Sequence, residues 1–174
     1  MDLLERFKQI KTFVFDLDGV LTDGSLIIMP DQQFIRTMNI KDGYALQLAV
    51  KKGYQILIIS GSNSGPCKDR LEYLGIKHIY MGIKDKTSVL TEFLKAHDLK
   101  WEQTLYMGDD LPDFEVMKHT GLPCCPSDAV PEIQQISAYI SESAGGKGCA
   151  REVIEKVLKL NKHWNVEVSQ IASL

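Results

Sequence analysis

Two aspartates that follow an apolar run near the start of the chain have the type and spacing for phosphoryl chemistry. Asp16 and Asp18 lie in the stretch "FVFDLDGVLTDG" (13–24). Carboxylates this close repel each other, so the pair needs a cation, a shared proton or a chemical task. An unprotonated Asp16 could attack phosphorus, while Asp18 could protonate the leaving alcohol and later deprotonate a water molecule. The pair is therefore a candidate nucleophile and a candidate general acid and base.

Short apolar runs alternate with amphipathic segments along the rest of the chain. The predicted strands cover 12–17, 54–60, 77–81, 104–108 and 121–125, with a possible sixth at 138–141. The predicted helices cover 43–52, 65–74, 84–97, 111–119, 129–135 and 148–160. Runs that are apolar at successive positions are typical of strands covered on both faces. This alternation predicts an α/β fold, a Rossmann-like doubly wound parallel sheet with helices on both faces.

The segment 25–40 interrupts this alternation. Its two β-rich runs flank Pro30-Asp31-Gln32, which predicts a β-hairpin inserted after the first strand. We expect one domain over 1–160, with no separate cap domain, and a C-terminal tail over 161–174 in which Trp164 is a candidate docking anchor. A small phosphate ester in such an open site needs cover from another chain, which predicts a homo-oligomer.

Composition narrows the classes of partner. The formal net charge of -3 provides no basic field, so we expect no nucleic-acid partner. No apolar stretch reaches the length of a membrane span, so we expect no membrane partner. The four cysteines form no CxxC pair and no zinc-site spacing, and free thiols suit a cytoplasmic protein; they are Cys67, Cys124, Cys125 and Cys149.

The ends of the other predicted strands carry groups suited to an anion or a metal. Ligands of open α/β sheets bind beyond the carboxyl ends of the strands. Ser60 and Gly61 follow the second predicted strand, and Lys86 begins the helix after the third. A hydroxyl, nearby main-chain amides and a lysine at a helix N-terminus could together bind phosphoryl oxygens.

A second acidic cluster follows the fourth predicted strand and consists of Asp109, Asp110 and Asp113. Mg²⁺ prefers oxygen ligands and keeps several waters. Carboxylates of Asp16 and Asp109 and the main-chain carbonyl of Asp18 could bind it. Asp110 and Asp113 could hold its waters as an outer layer.

Each of these features also has a simpler explanation. Ser60 and Gly61 could form only a turn, Lys86 could be solvated, and Asp109 with Asp110 could cap a helix. The order of acid, hydroxyl, lysine and acid at successive strand ends favours a magnesium-dependent phosphatase with an aspartyl-phosphate intermediate. A phosphorylatable receiver-like module and a catalytically silent regulatory subunit remain open, although a receiver does not need Asp18.

With these residues, the chain resembles the haloacid dehalogenase-like phosphatase superfamily, whose four motifs match "DLDGVLTDG", "IISG", Lys86 and "MGDDLPD". Within it, "NIKDGYAL", "YMGIKDK" and "GGKGCAREV" are similar to phosphatases of 3-deoxy-D-manno-octulosonate 8-phosphate and of nine-carbon sugar-acid phosphates. The resemblance implies that Asp16 is the nucleophile and Asp18 the acid and base. It also implies phosphate binding by Ser60 and Lys86, Mg²⁺ binding by Asp16, Asp18 and Asp109, and a capless homotetramer whose neighbouring hairpin and tail shape the site.

One departure from the family pattern concerns the organic part of the substrate. Sugar-acid enzymes of the family often carry an arginine just after the glycine of the second motif, where this chain has Ser62-Asn63-Ser64. An eight-carbon acid, a nine-carbon acid and another small phosphomonoester therefore all stay open as substrates. Residues that could supply the missing charge are Lys41, Lys68, Arg70 and Arg151, or a residue of another subunit.

Overall fold

A six-stranded parallel sheet forms the centre of the computed structural model, which describes residues 2–164. In chain order the strands are β1 (Thr12–Phe15), β2 (Ile27–Ile28), β3 (Phe34–Ile35), β4 (Gln55–Ile59), β5 (His78–Tyr80), β6 (Thr104–Met107), β7 (Leu122–Cys125) and β8 (Tyr139–Ile140). The sheet has the order β5-β4-β1-β6-β7-β8, and β2 pairs with β3 in a separate antiparallel hairpin. The fold class predicted from the sequence is confirmed.

Helices cover both faces of this sheet. They are α1 (Leu3–Gln9), α2 (Ile40–Lys51), α3 (Gly65–Tyr73), α4 (Lys86–Ala96), α5 (Phe114–His119), α6 (Pro131–Ile136) and α7 (Cys149–Leu160). Alternation along β1 sends Phe13 and Phe15 into the core beneath α1, α2, α3 and α7, and sends Val14 into the core beneath α4, α5 and α6. All four residues of β1 are buried, as expected of a central parallel strand.

Differences between predicted and observed elements have local causes. Helix α1 was not predicted, and it begins where the side chain of Asp2 accepts a hydrogen bond from the amide of Leu3. Helix α2 begins three residues earlier than predicted because Asn39 caps it by accepting from the Lys41 amide. The predicted helix 111–119 is wrong in its first part, since residues 111–113 form a 3₁₀ turn and α5 begins at Phe114.

The β2–β3 hairpin exposes most of its apolar side chains. Ile27 pairs with Ile35 and Ile28 with Phe34, and all four residues are exposed. The exposed fraction is greatest for Ile28, at 73%. Exposed apolar residues that are contiguous in this way mark a surface for interaction.

The order of the strands brings the predicted chemical groups to one edge. The chain runs outward from β1 to β4 and β5, and then crosses to β6 on the other side of β1. The strand order therefore reverses between β1 and β6, which is where open α/β sheets place their ligands. Asp16 directly follows β1 and Asp109 follows β6, so the two lie on opposite sides of this switch point.

The segment after α7 is described only in part, because residues 165–174 of the predicted tail lie outside the described residues. Trp164 packs on its own chain, with its ring centroid 6.1 Å from that of Tyr44. None of the helices within residues 2–164 has both the length and the apolar character of a membrane span.

We expect Gly121→Ala to destabilise the fold. Gly121 donates its amide to the Trp101 carbonyl at 2.7 Å, and a Cβ atom there would lie 2.2 Å from the carbonyl oxygen of Glu102. Both partners are main-chain atoms that no rotamer change can move, so the free energy of unfolding should fall by about 2–3 kcal/mol. Urea denaturation measures this change.

Gly65→Ala is the matched control, because a Cβ atom at Gly65 meets nothing within 4 Å. Its free energy of unfolding should stay within about 1 kcal/mol of the parent value. Equal losses in both variants would contradict the close approach of Gly121 to Glu102.

Candidate active site

Three carboxylates meet at the switch point between β1 and β6. Asp16, Asp109 and Asp113 each place one oxygen within 4.8 Å of the others. Asp113 is fully buried and Asp16 is 9% exposed. Oδ1 of Asp109 is buried and has no hydrogen-bond partner among the described residues. An unpaired buried carboxylate oxygen costs free energy unless a cation coordinates it, so the cluster fits a divalent ion.

The loop after β1 can approach Asp109 only because it contains glycine. Gly19 has φ of +84°, and a Cβ atom there would lie 1.9 Å from Oδ2 of Asp109. The loop is supported from behind by the segment before α7, where the Gly146 amide donates to the Val20 carbonyl at 2.9 Å. The backbone after Asp16 is thereby held against the second acidic cluster.

Lys86 supplies the positive charge of the cluster. Its Nζ lies 2.7 Å from Oδ1 of Asp113 and 3.1 Å from Oδ2 of Asp16. Burial opposes the charged form, but the Asp113 and Asp16 carboxylates outweigh it and raise the pKa of Lys86. The hydroxyl of Tyr106 also donates to Oδ1 of Asp113, at 2.7 Å. Asp113 therefore holds Lys86 in place from a fully buried position.

One lysine does not balance three carboxylates. Burial, followed by the charge of Asp113, raises the pKa of Asp16 to about 7 although Lys86 opposes this. Burial and the charges of Asp16 and Asp113 raise the pKa of Asp109 to about 8. A bound divalent cation would lower both pKa values and leave Asp16 unprotonated, as a nucleophile must be.

The carboxylate of Asp18 binds side chains outside this cluster. Oδ1 accepts a hydrogen bond from Nε of Arg36 at 2.6 Å, and Oδ2 accepts from Nη2 of Arg36 at 3.2 Å and from the Ser62 hydroxyl at 2.7 Å. Partial burial raises the pKa of Asp18, but the hydrogen bonds from Arg36 and Ser62 outweigh it and lower the pKa. For a metal ion beside Asp16, Asp18 is left with its main-chain carbonyl, the ligand expected from the sequence.

The predicted phosphate-binding residues surround the same edge. Ser60 follows β4, is 1% exposed, and lies with its hydroxyl 3.1 Å from that of Ser62. Gly61 connects the two serines, and the Ser62 amide donates to the Ser60 hydroxyl at 3.2 Å. Because β4 and β6 flank β1, the Ser60 turn and Asp109 lie on either side of Asp16.

The other predicted residues do not join the cluster of Asp16, Asp109 and Asp113. Asp110 is exposed and accepts from the Leu111 amide at 2.7 Å, so it caps the 3₁₀ turn. Lys41 and Arg151 line one cavity of about 430 Å³, whereas Arg70 lines another of about 720 Å³. Lys68 lies on the exposed side of α3, 3.8 Å from Glu72.

Arg151 is committed to packing. Its Nε donates to Glu155 at 3.1 Å, and its guanidinium carbon lies 5.2 Å from the ring centroid of Trp164. Its main-chain amide donates to Oδ1 of Asp42 at 2.7 Å, and burial raises the pKa of Asp42 to about 6. Asp42 thereby caps α7, which explains physically why "NIKDGYAL" and "GGKGCAREV" occur together.

Sequence reasoning missed Arg36 and Tyr106 and did not foresee that Ser62 bonds to Asp18. Tyr106 lies within the predicted fourth strand, where its ring has the ordinary character of a buried strand residue. Arg36 follows β3 directly, and no spacing rule links a hairpin residue to Asp18. The only signal was Ser62 itself, which occupies the position of the family's missing arginine.

The chain is similar to known proteins over most of its length. A family model described as haloacid dehalogenase-like hydrolase matches residues 78–153. The 3-deoxy-D-manno-octulosonate 8-phosphate phosphatase of Yersinia pestis is 32% identical over 157 residues, which cover 90% of this chain and 84% of that enzyme. The crystal structure of the same-named phosphatase from Moraxella catarrhalis, in complex with magnesium ion, phosphate ion and KDO, has a TM-score of 0.90 and 31% identity over 95% of each chain. A probable YrbI-family phosphatase from Pseudomonas syringae has a TM-score of 0.89 and 38% identity, covering 96% of this chain and 94% of that one.

The raised pKa values of Asp16 and Asp109 predict a pH-dependent response to Mg²⁺. Unfolded aspartate has a pKa of about 3.9, so protein stripped of divalent cations binds more protons when folded and loses stability as pH rises from about 5 to about 8. Mg²⁺ must displace these protons, so its stabilising effect should grow over the same range. Thermal unfolding with and without Mg²⁺ between pH 5.5 and 8.5 measures both effects.

Asp109→Asn provides the control, because it removes one titrating carboxylate and one candidate ligand. The increase in melting temperature caused by Mg²⁺ should be small in this variant and should depend weakly on pH. An Mg²⁺-induced shift of the parent protein that is equal at pH 5.5 and pH 8 would contradict the assignment.

Proposed function

Because the chain belongs to the haloacid dehalogenase-like phosphatases, we propose that it hydrolyses a sugar-acid phosphate monoester of the 3-deoxy-D-manno-octulosonate 8-phosphate type, with Mg²⁺ as cofactor. The observation that carries this proposal is the meeting of Asp16, Asp109 and Asp113 with Lys86 at the switch point of the sheet. The magnesium ion, phosphate ion and KDO held by the Moraxella catarrhalis enzyme support the choice of cofactor and substrate class. The alternatives are a nine-carbon keto-deoxy sugar-acid 9-phosphate and another small phosphomonoester.

Asp16 is the proposed nucleophile. It attacks phosphorus to form an aspartyl-phosphate, and the bond to the sugar oxygen breaks as that oxygen takes a proton from Asp18. A water molecule that gives its proton to Asp18 then attacks the phosphorus and releases inorganic phosphate. The carboxylates of Asp16 and Asp109 and the main-chain carbonyl of Asp18 would hold Mg²⁺, which would supply positive charge for the phosphoryl oxygens.

The phosphoryl group is bound by residues that follow two other strands, β4 and β5. Ser60 donates its hydroxyl, the turn at Gly61 presents main-chain amides, and Lys86 contributes its charge beside Asp16. Asp113 orients Lys86 and accepts from the Asp109 amide at 3.3 Å, so it supports the site from the outer layer. Asp110 keeps the role of a capping residue at the rim.

The assembly and location follow from surface chemistry. The apolar side chains of the β2–β3 hairpin need a covering partner, and a second copy of the chain supplies one, so we assign a homo-oligomer with four subunits as the family resemblance implies. Four free cysteines, all buried within the described chain, support a reducing cytoplasm. No nucleic acid or membrane enters the proposal.

Phosphate release with Mg²⁺ tests the activity. We expect turnover to be greatest for one eight- or nine-carbon 2-keto-3-deoxy acid phosphate, and lower for common aldose and ketose phosphates. Asp16→Asn should lower kcat at least about a thousandfold, because an amide cannot accept the phosphoryl group. The matched control is Asp98→Asn, since Asp98 is exposed and has φ of +52°, a conformation that asparagine also adopts.

Two results would contradict the proposed activity. Full turnover by Asp16→Asn would exclude Asp16 as the nucleophile. Stable phosphorylation without phosphate release in the parent protein would favour the receiver-like alternative.

A double substitution in the hairpin tests the assembly. Ile28 and Phe34 face each other across the hairpin and are 73% and 51% exposed, so Ile28→Glu with Phe34→Glu should prevent association through repulsion and lost apolar contact. We expect the variant to sediment as a monomer at micromolar concentration, whereas the parent sediments as an oligomer. Leu4→Glu in α1, where Leu4 is 59% exposed, should leave the sedimentation unchanged. A monomeric parent with full turnover would refute the assembly.

A further inference from the structure

Arg36 connects the proposed general acid to a cavity of about 720 Å³. It directly follows β3, and its side chain is only 6% exposed although the hairpin around it is open to solvent. Its guanidinium binds both oxygens of Asp18, at 2.6 and 3.2 Å. The same residue lines the cavity of about 720 Å³ between the hairpin and the start of α3. One planar cation thus faces the reaction centre and the cavity together.

Both carboxylate oxygens of Asp18 are engaged in hydrogen bonds. Both carboxylate oxygens accept from the guanidinium, and Oδ2 also accepts from the Ser62 hydroxyl at 2.7 Å. The Asp18 carboxylate is also absent from the group of oxygens formed by Asp16, Asp109 and Asp113. A carboxylate held in this way is ionised and paired, so it carries no proton for the leaving oxygen of an ester on Asp16.

The cavity has the chemistry of a polyhydroxylated anion's binding site. The charged side chains in its lining are Arg36 and Arg70, and no aspartate or glutamate of the described chain lines it. Amides and hydroxyls from Gln33, Asn63 and Ser64 lie around them. Two cations with neutral hydrogen-bonding groups suit an organic acid with several hydroxyls.

We propose that Arg36 is a specificity-determining residue that exchanges carboxylates: the carboxylate of the sugar acid takes the guanidinium from Asp18, and the freed Asp18 takes up a proton from solvent water and donates it to the leaving oxygen. This inference rests on the proposed function. It adds the residue through which kcat depends on the carboxylate of the substrate. A guanidinium fork binds one carboxylate with both arms at a time. The exchange gives Arg36 a new carboxylate partner, and Asp18, which keeps the Ser62 hydroxyl, becomes neutral when it takes up the proton.

A neutral sugar phosphate cannot make this exchange. Its phosphoryl group can still reach Asp16 and Lys86, but Arg36 stays on Asp18 and Asp18 stays ionised. The enzyme therefore discriminates between sugar acids and neutral sugars after binding, through kcat. A contact that is simply missing would instead weaken binding and raise KM. The hairpin position of Arg36 explains how a chain with Ser62 in the second motif still recognises an acid.

The test compares three phosphates in the parent protein, Arg36→Gln and Arg36→Lys. The three phosphates are the sugar-acid phosphate with the greatest turnover in the phosphate-release screen, the carboxamide of that sugar acid, and p-nitrophenyl phosphate. In the parent, kcat for the acid should exceed kcat for the carboxamide by about 10- to 100-fold, the range that a charge-assisted bidentate contact provides.

In Arg36→Gln, kcat/KM for the acid should fall because the contact with the carboxylate is lost. The kcat for the carboxamide should rise because Asp18 is no longer paired with Arg36. The ratio of kcat for the acid to kcat for the carboxamide should therefore approach one. Arg36→Lys keeps the charge without the fork and should give an intermediate ratio. Lys118→Gln is the control, because Lys118 is an exposed cation 3.3 Å from Glu115, and its ratio should equal that of the parent.

A loss of equal factor for the acid, the carboxamide and p-nitrophenyl phosphate in both Arg36 variants would show that Arg36 only positions Asp18, and would overturn the exchange. An equal gain in kcat for all three phosphates would show that Arg36 only inhibits Asp18, whatever the substrate, and would also overturn the exchange. A parent protein that shows no preference for any sugar acid would instead refute the proposed substrate class, which is a distinguishable failure.

Discussion

The repulsion among three carboxylates at one end of a parallel sheet is the constraint on which the rest of this structure depends. Asp16, Asp109 and Asp113 converge because β1 and β6 are neighbours at the switch point, and Lys86 offsets only part of their charge. Burial makes the remaining imbalance costly, so the pKa values of Asp16 and Asp109 rise. The same imbalance makes the site a strong ligand for a divalent cation and for a phosphoryl group brought with it.

Much of the surrounding structure keeps these charges from moving apart. The Gly146 amide holds the loop after β1 through the Val20 carbonyl, and Asp42 caps α7, which begins shortly after Gly146. Asp113 holds Lys86 from the buried side, and Tyr106 donates a hydrogen bond to Asp113. These contacts are main-chain or fully buried, so they fix the site through rigid elements rather than through surface side chains.

The hairpin combines an apolar outer surface with one polar contact to the reaction centre. Its strands expose Ile28 and Phe34, whereas Arg36 beyond β3 is turned inward onto Asp18. A covering subunit and a substrate would therefore act on the same small element, one from outside and one through the cavity. This arrangement takes the place of a cap domain in a chain that has only the hairpin and one helix between its first two motifs.

The sequence by itself was enough to locate the sheet, its buried strands and the strand ends that carry Asp16, Ser60, Lys86 and Asp109. Those inferences succeed because hydrophobic periodicity is local and because parallel strands bring their carboxyl ends to one edge. Only the tertiary structure decided that Arg36 binds Asp18, that Asp113 rather than Asp110 reaches the acidic cluster, and that Arg70 lies in a different cavity from Lys41 and Arg151. These facts depend on how a hairpin folds back and on which way a side chain points, and neither leaves a periodic pattern in the chain.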